Sequence, residues 1–106
     1  GYSFKENCPD YRNTRVYHLI KHLQKKQCTV NIHDPYVSKN IDNFPFKNLS
    51  LINLKKKKKK YDLIILAVPH KTYLKQQSKI INLLSQDGLI YDFKSVFESN
   101  KRIIQS

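Results

Sequence analysis

Between Asn13 and about Lys26 the apolar residues recur at helical spacing. Val16, Leu19, Ile20 and Leu23 follow i, i+3, i+4, i+7, with Arg15, Lys21, His22 and Lys25 on the other side. Asn13 or Thr14 can cap the start, and a lysine-rich last turn suits the negative end of the helix dipole. Cys28-Thr-Val-Asn-Ile-His-Asp-Pro then reads as a short strand, Val30 and Ile32 sharing a face, stopped by the turn dipeptide Asp34-Pro35. From Tyr36 to Leu54 the chain is polar with scattered apolar residues and predicts an irregular surface segment, with a short strand possible over Leu49 to Ile52.

The clearest element follows. Leu63 to Val68 is continuously apolar and ends at Pro69, as expected of a parallel strand buried on both faces. Tyr73 to Leu84 is helical in pattern, with Tyr73, Ile80 and Leu84 in one apolar row and Leu74 and Ile81 in another. Gln86-Asp87-Gly88 reads as a turn into a strand over Gly88 to Phe93, and Lys101 to Gln105 as a last edge strand. Helices alternating with strands predict an α/β fold, a three-layer Rossmann-like sheet, mostly parallel, with helices on both faces. The opening Gly1-Tyr-Ser-Phe reads as the tail of a further strand.

Composition narrows this picture. At 106 residues the chain is expected to be one domain over 1–106, small for a complete enzyme. No apolar run approaches the roughly 18 residues of a membrane span, and nothing resembles a signal peptide, so a cytoplasmic protein without a membrane partner is expected. Cys8 and Cys28 lack metal-type spacing and are expected to be reduced thiols, one or both partly buried. The net charge of +12 suits an anionic partner, although half of it comes from the single run Lys55–Lys60. That run is expected to be a solvated loop or helix end, because like charges at i, i+4 repel along a helix. The only glycines are Gly1 and Gly88, so neither GxGxxG nor a P-loop can be written, and a dinucleotide cradle of that kind is excluded.

Three polar clusters fall at or just beyond the inferred strand ends: Lys5-Glu-Asn, Pro69-His-Lys and Asp92-Phe-Lys. Ligands of open α/β sheets bind outside the carboxyl ends of the strands, so a parallel sheet would gather these clusters on one edge. His70, after a buried strand and a proline, is a candidate cleft residue. Asp34-Pro35 is read as a turn and nothing more. Asp10 reads as a cap or a partner of Arg12.

Four stretches carry a more specific signal: Gly1-Tyr-Ser-Phe-Lys-Glu-Asn-Cys-Pro-Asp-Tyr-Arg-Asn-Thr, Val30-Asn-Ile-His-Asp-Pro, Tyr61-Asp-Leu-Ile-Ile-Leu-Ala-Val-Pro-His-Lys and Ile90-Tyr-Asp-Phe-Lys. In order and spacing they resemble the C-terminal domain of the UDP-glucose/GDP-mannose dehydrogenase family, and within it bacterial UDP-N-acetylhexosamine dehydrogenases of surface-polysaccharide synthesis. The resemblance implies a UDP-sugar-binding piece of a longer, homodimeric enzyme whose other domains bind NAD and supply the catalytic cysteine. It implies that Phe4, Lys5 and Lys94 contact the nucleotide-sugar and that Arg12 reaches NAD, while Cys8 is not catalytic. Phe93 departs from the pattern, since some relatives have glycine there. No catalytic residue is expected within the chain and no metal is implied. A competing reading is a basic nucleic-acid-binding module built on Lys55–Lys60, but no aromatic-basic motif of such a fold accompanies the run.

Overall fold

The computed structural model describes Gly1, residues 14–35 and residues 60–105. The first helix, α1 (Thr14–Lys25), turns Val16 and Ile20 inward, where they pack with Ile32 and Val68. It closes in a Schellman arrangement: the Cys28 amide donates to the Leu23 carbonyl (3.1 Å) and the Gln27 amide to that of Gln24 (3.0 Å). Gln27 holds the left-handed position usually given to glycine, with φ of 64°.

Residues 28–34 were expected to form a strand. They are extended, but only Ile32 makes a bridge, so this segment contributes a buried side chain rather than a ladder. The sheet itself is β1 (Tyr61–Leu66), β2 (Leu84–Asp92) and β3 (Ile103–Gln105), all parallel in the order β1-β2-β3. The α/β class and the parallel sheet are therefore as the pattern predicts.

The register sorts side chains between two faces. Ile64, Ile90 and Ile103 lie level and join Leu66, Leu84, Phe97, Tyr73 and Ile80 in one core cluster. Tyr73 belongs to α2 (Lys71–Leu74) and Ile80 to α3 (Gln77–Ile81), so these short helices cover that face. The pattern had predicted one continuous helix from Tyr73 to Leu84. It breaks at Lys75-Gln76, and Leu84 already belongs to β2. Leu63, Leu89 and Ile104 point the other way and remain 50%, 38% and 45% exposed. The apolar run of β1 is thus buried on one face more than the other, a departure from the expected two-sided burial.

The supposed turn Gln86-Asp87-Gly88 is part of β2, and the register explains the signal. Tyr61 pairs with Leu84 but Leu63 pairs with Leu89, so β2 bulges between these points. A Cβ on Gly88 would lie 2.7 Å from the Tyr61 carbonyl oxygen and 3.1 Å from the Ser85 nitrogen, so close backbone approach requires glycine here. The Arg102 guanidinium then clips the bulge, donating to the carbonyls of Ser85 and Gly88, the latter from both Nε (3.2 Å) and a terminal nitrogen (3.1 Å). Ser85 Oγ donates to Asp62 Oδ1 at 3.0 Å and ties the bulge to β1.

Candidate functional site

Because the sheet is parallel, the carboxyl ends of its strands face one way. Leu66 pairs with Asp92, and Asp92 with Gln105, so these ends are level. Two polar assemblies occupy this edge.

The first joins the segment ending at Asp34 to the loop after β1. Asp34 and His70 side chains are fully buried, with His70 Nε2 and Asp34 Oδ2 3.0 Å apart. The residue expected to be only a turn is therefore one half of a buried pair, because the strand-to-helix loop of β1 brings a histidine against it. His70, the candidate cleft residue, has no exposed surface and starts α2 with its backbone, its carbonyl accepting from the Tyr73 amide at 3.0 Å. Tyr73 Oη donates to the His33 carbonyl at 2.7 Å and lies 2.9 Å from His33 Nδ1. Burial, helped by the Asp34 charge, pushes the Tyr73 phenol above its ordinary value, and burial lowers the His33 imidazole below its ordinary 6.5. Gly1 abuts this assembly: a Cβ on it would lie 2.5 Å from the Val68 carbonyl oxygen and 3.2 Å from the His70 ring.

The second assembly shapes the loop after β2. Asp92 is fully buried on the helix-covered face. Its Oδ2 accepts from the Phe97 amide (2.8 Å) and from Gln105 Nε2 (3.1 Å), which also donates to the Phe97 carbonyl at 2.8 Å. Asp92 Oδ1 is buried without a hydrogen-bond partner among the described residues. Phe97 anchors the far end of the loop in the core. Between these fixed points Phe93, Lys94, Ser95 and Val96 are exposed, so Lys94 stands on a loop braced at both ends. Phe93 sets its ring edge-to-face on Tyr91, centroids 4.8 Å apart. The left-handed residue of this turn is Ser95, with φ of 53°, and not Phe93. A bulky residue in place of glycine at 93 is accommodated for that reason.

Of the residues singled out in the sequence, Lys94 and His70 lie at this edge, one exposed and one buried. Phe4, Lys5, Arg12, Cys8, Asp10, the possible strand at 49–52 and all but Lys60 of the lysine run lie outside the described residues. Lys60 is exposed and donates to the Asn82 carbonyl. Cys28 is a free, exposed thiol, so of the two cysteines, one or both expected to be partly buried, it is not the buried one. The described residues hold no group of three or more metal-ligating side chains, and none of their helices is long and apolar enough to cross a membrane. Sequence reasoning missed Tyr73, whose helical spacing announces a core position and hides the hydroxyl, and Gln105, which the register alone brings opposite Asp92.

A parallel α/β sheet with polar groups gathered at its carboxyl edge has the arrangement in which open α/β domains bind their ligands. Residues 1–99 match the UDP-binding domain of the UDP-glucose/GDP-mannose dehydrogenase family, and the chain belongs to that family. It is 39% identical over 101 residues to Protein CapL of Staphylococcus aureus. It is 35% and 32% identical over 102 residues to UDP-N-acetyl-D-glucosamine 6-dehydrogenases of Salmonella typhi and Pseudomonas aeruginosa. Each alignment covers 95% of this chain but only 23–24% of the relative, so the chain spans about a quarter of these proteins. No solved structure matches it.

Proposed function

We propose that this chain is the nucleotide-binding part of an NAD-dependent UDP-sugar 6-dehydrogenase. The full enzyme would oxidise the C6 alcohol of a UDP-hexose or UDP-N-acetylhexosamine to the uronic acid, for capsule or O-antigen-type polysaccharide synthesis in the cytoplasm. The observation that carries this reading is Lys94, exposed on a braced loop at the carboxyl edge of a parallel sheet, in a chain that matches a UDP-binding domain.

The chemistry required of this part is binding and orientation. A lysine ammonium is a compact donor suited to diphosphate oxygens, and a loop already held by Asp92 and Gln105 loses little freedom when a ligand docks. Lys5 and Phe4 would contact the same nucleotide-sugar, as their place in the matched opening motif suggests. His70 supports the edge from behind by holding Asp34. Arg12 would reach towards the cofactor. The two glycines do not suit a dinucleotide cradle, since Gly88 is consumed by the β2 bulge and Gly1 by packing on Val68. In this reading the NAD site and the catalytic cysteine would lie in the remaining domains of the parent chain, a homodimer, and no redox step is assigned to the residues here.

Calorimetry and amide shifts at millimolar UDP test the assignment. Weak binding that perturbs amides near Lys94 and is lost in Lys5→Ala and Lys94→Ala is expected. A silent titration would sink it. Retention of DNA at about 0.2 M salt by a chain that ignores UDP would favour the nucleic-acid reading instead.

A further inference from the structure

The hydrogen bonds around Tyr73 settle the protonation of a neighbouring ring. A phenol has one proton, and Tyr73 gives it to the His33 carbonyl, which can only accept. The 2.9 Å contact between Tyr73 Oη and His33 Nδ1 must therefore be donated by the imidazole, making Nδ1 the protonated nitrogen. Burial favours the neutral forms of both groups. A neutral imidazole carries one N–H, so Nε2 presents a lone pair. Among the described residues nothing donates to that nitrogen, and His33 keeps part of its surface accessible. His33 lies at the carboxyl edge, next to Asp34, whose side chain meets His70 there.

We propose that His33 is a ligand-binding residue whose Nε2 accepts a hydrogen bond from an uncharged O–H or N–H of the nucleoside or sugar portion of the nucleotide-sugar. The proposal rests on reading the carboxyl edge as a nucleotide site and adds a division of labour within it. Phosphate oxygens at neutral pH are acceptors, so an imidazole fixed as an acceptor gains nothing from them, whereas Lys94 supplies only donors. The ribose diol, the uracil imide and the hexose hydroxyls all offer the required proton. His33 therefore recognises the neutral part of the ligand and Lys94 the charged part.

Long-range ¹H–¹⁵N spectra of the imidazoles in the full 106-residue chain test this. The free chain should show His33 as the Nδ1–H tautomer, and Tyr73→Phe should release that preference. Uridine and UDP should move the Nε2 resonance, with N-acetylglucosamine as the arm that detects a sugar hydroxyl, and inorganic pyrophosphate should leave it in place. His33→Asn retains a donor near the Nδ1 position but lacks Nε2, and should weaken uridine binding about fivefold, as for one neutral hydrogen bond. An Nε2–H tautomer in the free chain overturns the proposal, whatever the variant's folding. So does a His33 ring that ignores uridine, UDP and sugar while UDP shifts the Lys94 amide, a result that leaves the nucleotide site standing. Silence at both His33 and Lys94 overturns both readings.

Discussion

The two ends of β2 are each fastened with the help of a side chain in or next to β3, to different effect. At the amino end, Arg102 donates to carbonyls of the bulge around Gly88 and ties an irregular stretch down. At the carboxyl end, Asp92 and Gln105 accept from and donate to the backbone of Phe97, leaving four exposed residues between two fixed points. The first fastening ends in close packing, with Gly88 against Tyr61. The second ends in a presented lysine. Similar polar-to-backbone chemistry therefore builds a structural joint at one end and an exposed loop at the other, and parallel topology puts that loop at the carboxyl edge, where ligands of such sheets bind.

Substitutions at the two ends should separate these roles. The largest loss is expected from Asp92→Ala, which strands the Phe97 amide in the core and removes a partner of Gln105. Denaturant unfolding should show about 2–3 kcal/mol of destabilisation, with UDP affinity falling as well. Asp92→Asn keeps one acceptor oxygen and should lose less; an equal loss would mean that the charge, not the hydrogen bond to Phe97, shapes the loop. Gly88→Ala forces a methyl against the Tyr61 carbonyl and should cost about 1–2 kcal/mol, yet leave the UDP affinity of the folded fraction unchanged. Weaker binding in that variant would show that the two ends are coupled.

Lys94→Ala should do the reverse. The side chain is exposed, so stability should stay within about 0.5 kcal/mol, while UDP affinity drops about tenfold, as for one charge-assisted hydrogen bond. The smallest effect is in pH. Burial holds the folded His33 pKa below the 6.5 of the unfolded ring, so below about 6.5 the unfolded chain takes up the proton first. His33 thus costs no stability above that value, and stability falls as the pH drops through it. The decline in melting temperature between pH 7.5 and 5 should be shallower in His33→Asn.

The sequence by itself determined the α/β class, α1, the parallel strand β1, the edge strand β3 and the cluster Asp92-Phe93-Lys94 at a strand end. Each follows from local periodicity or from a short run of residues, and the opening motif, with three weaker stretches in order behind it, carried the family. It misread what depends on distant partners. Gln86-Asp87-Gly88 looked like a turn because a bulge uses the same residues, and only the β1 register shows the strand continuing through it. Asp34 looked like turn punctuation until the fold buried it against His70, thirty-six residues away. Tyr73 looked purely apolar because helical spacing records which face is inward and says nothing of what a hydroxyl meets there. Periodicity reports burial, a property of one element. Partners of buried polar groups are chosen when elements pack, so the Asp34–His70 pair, the Asp92–Gln105 brace and the tautomer of His33 were decided by the tertiary structure alone.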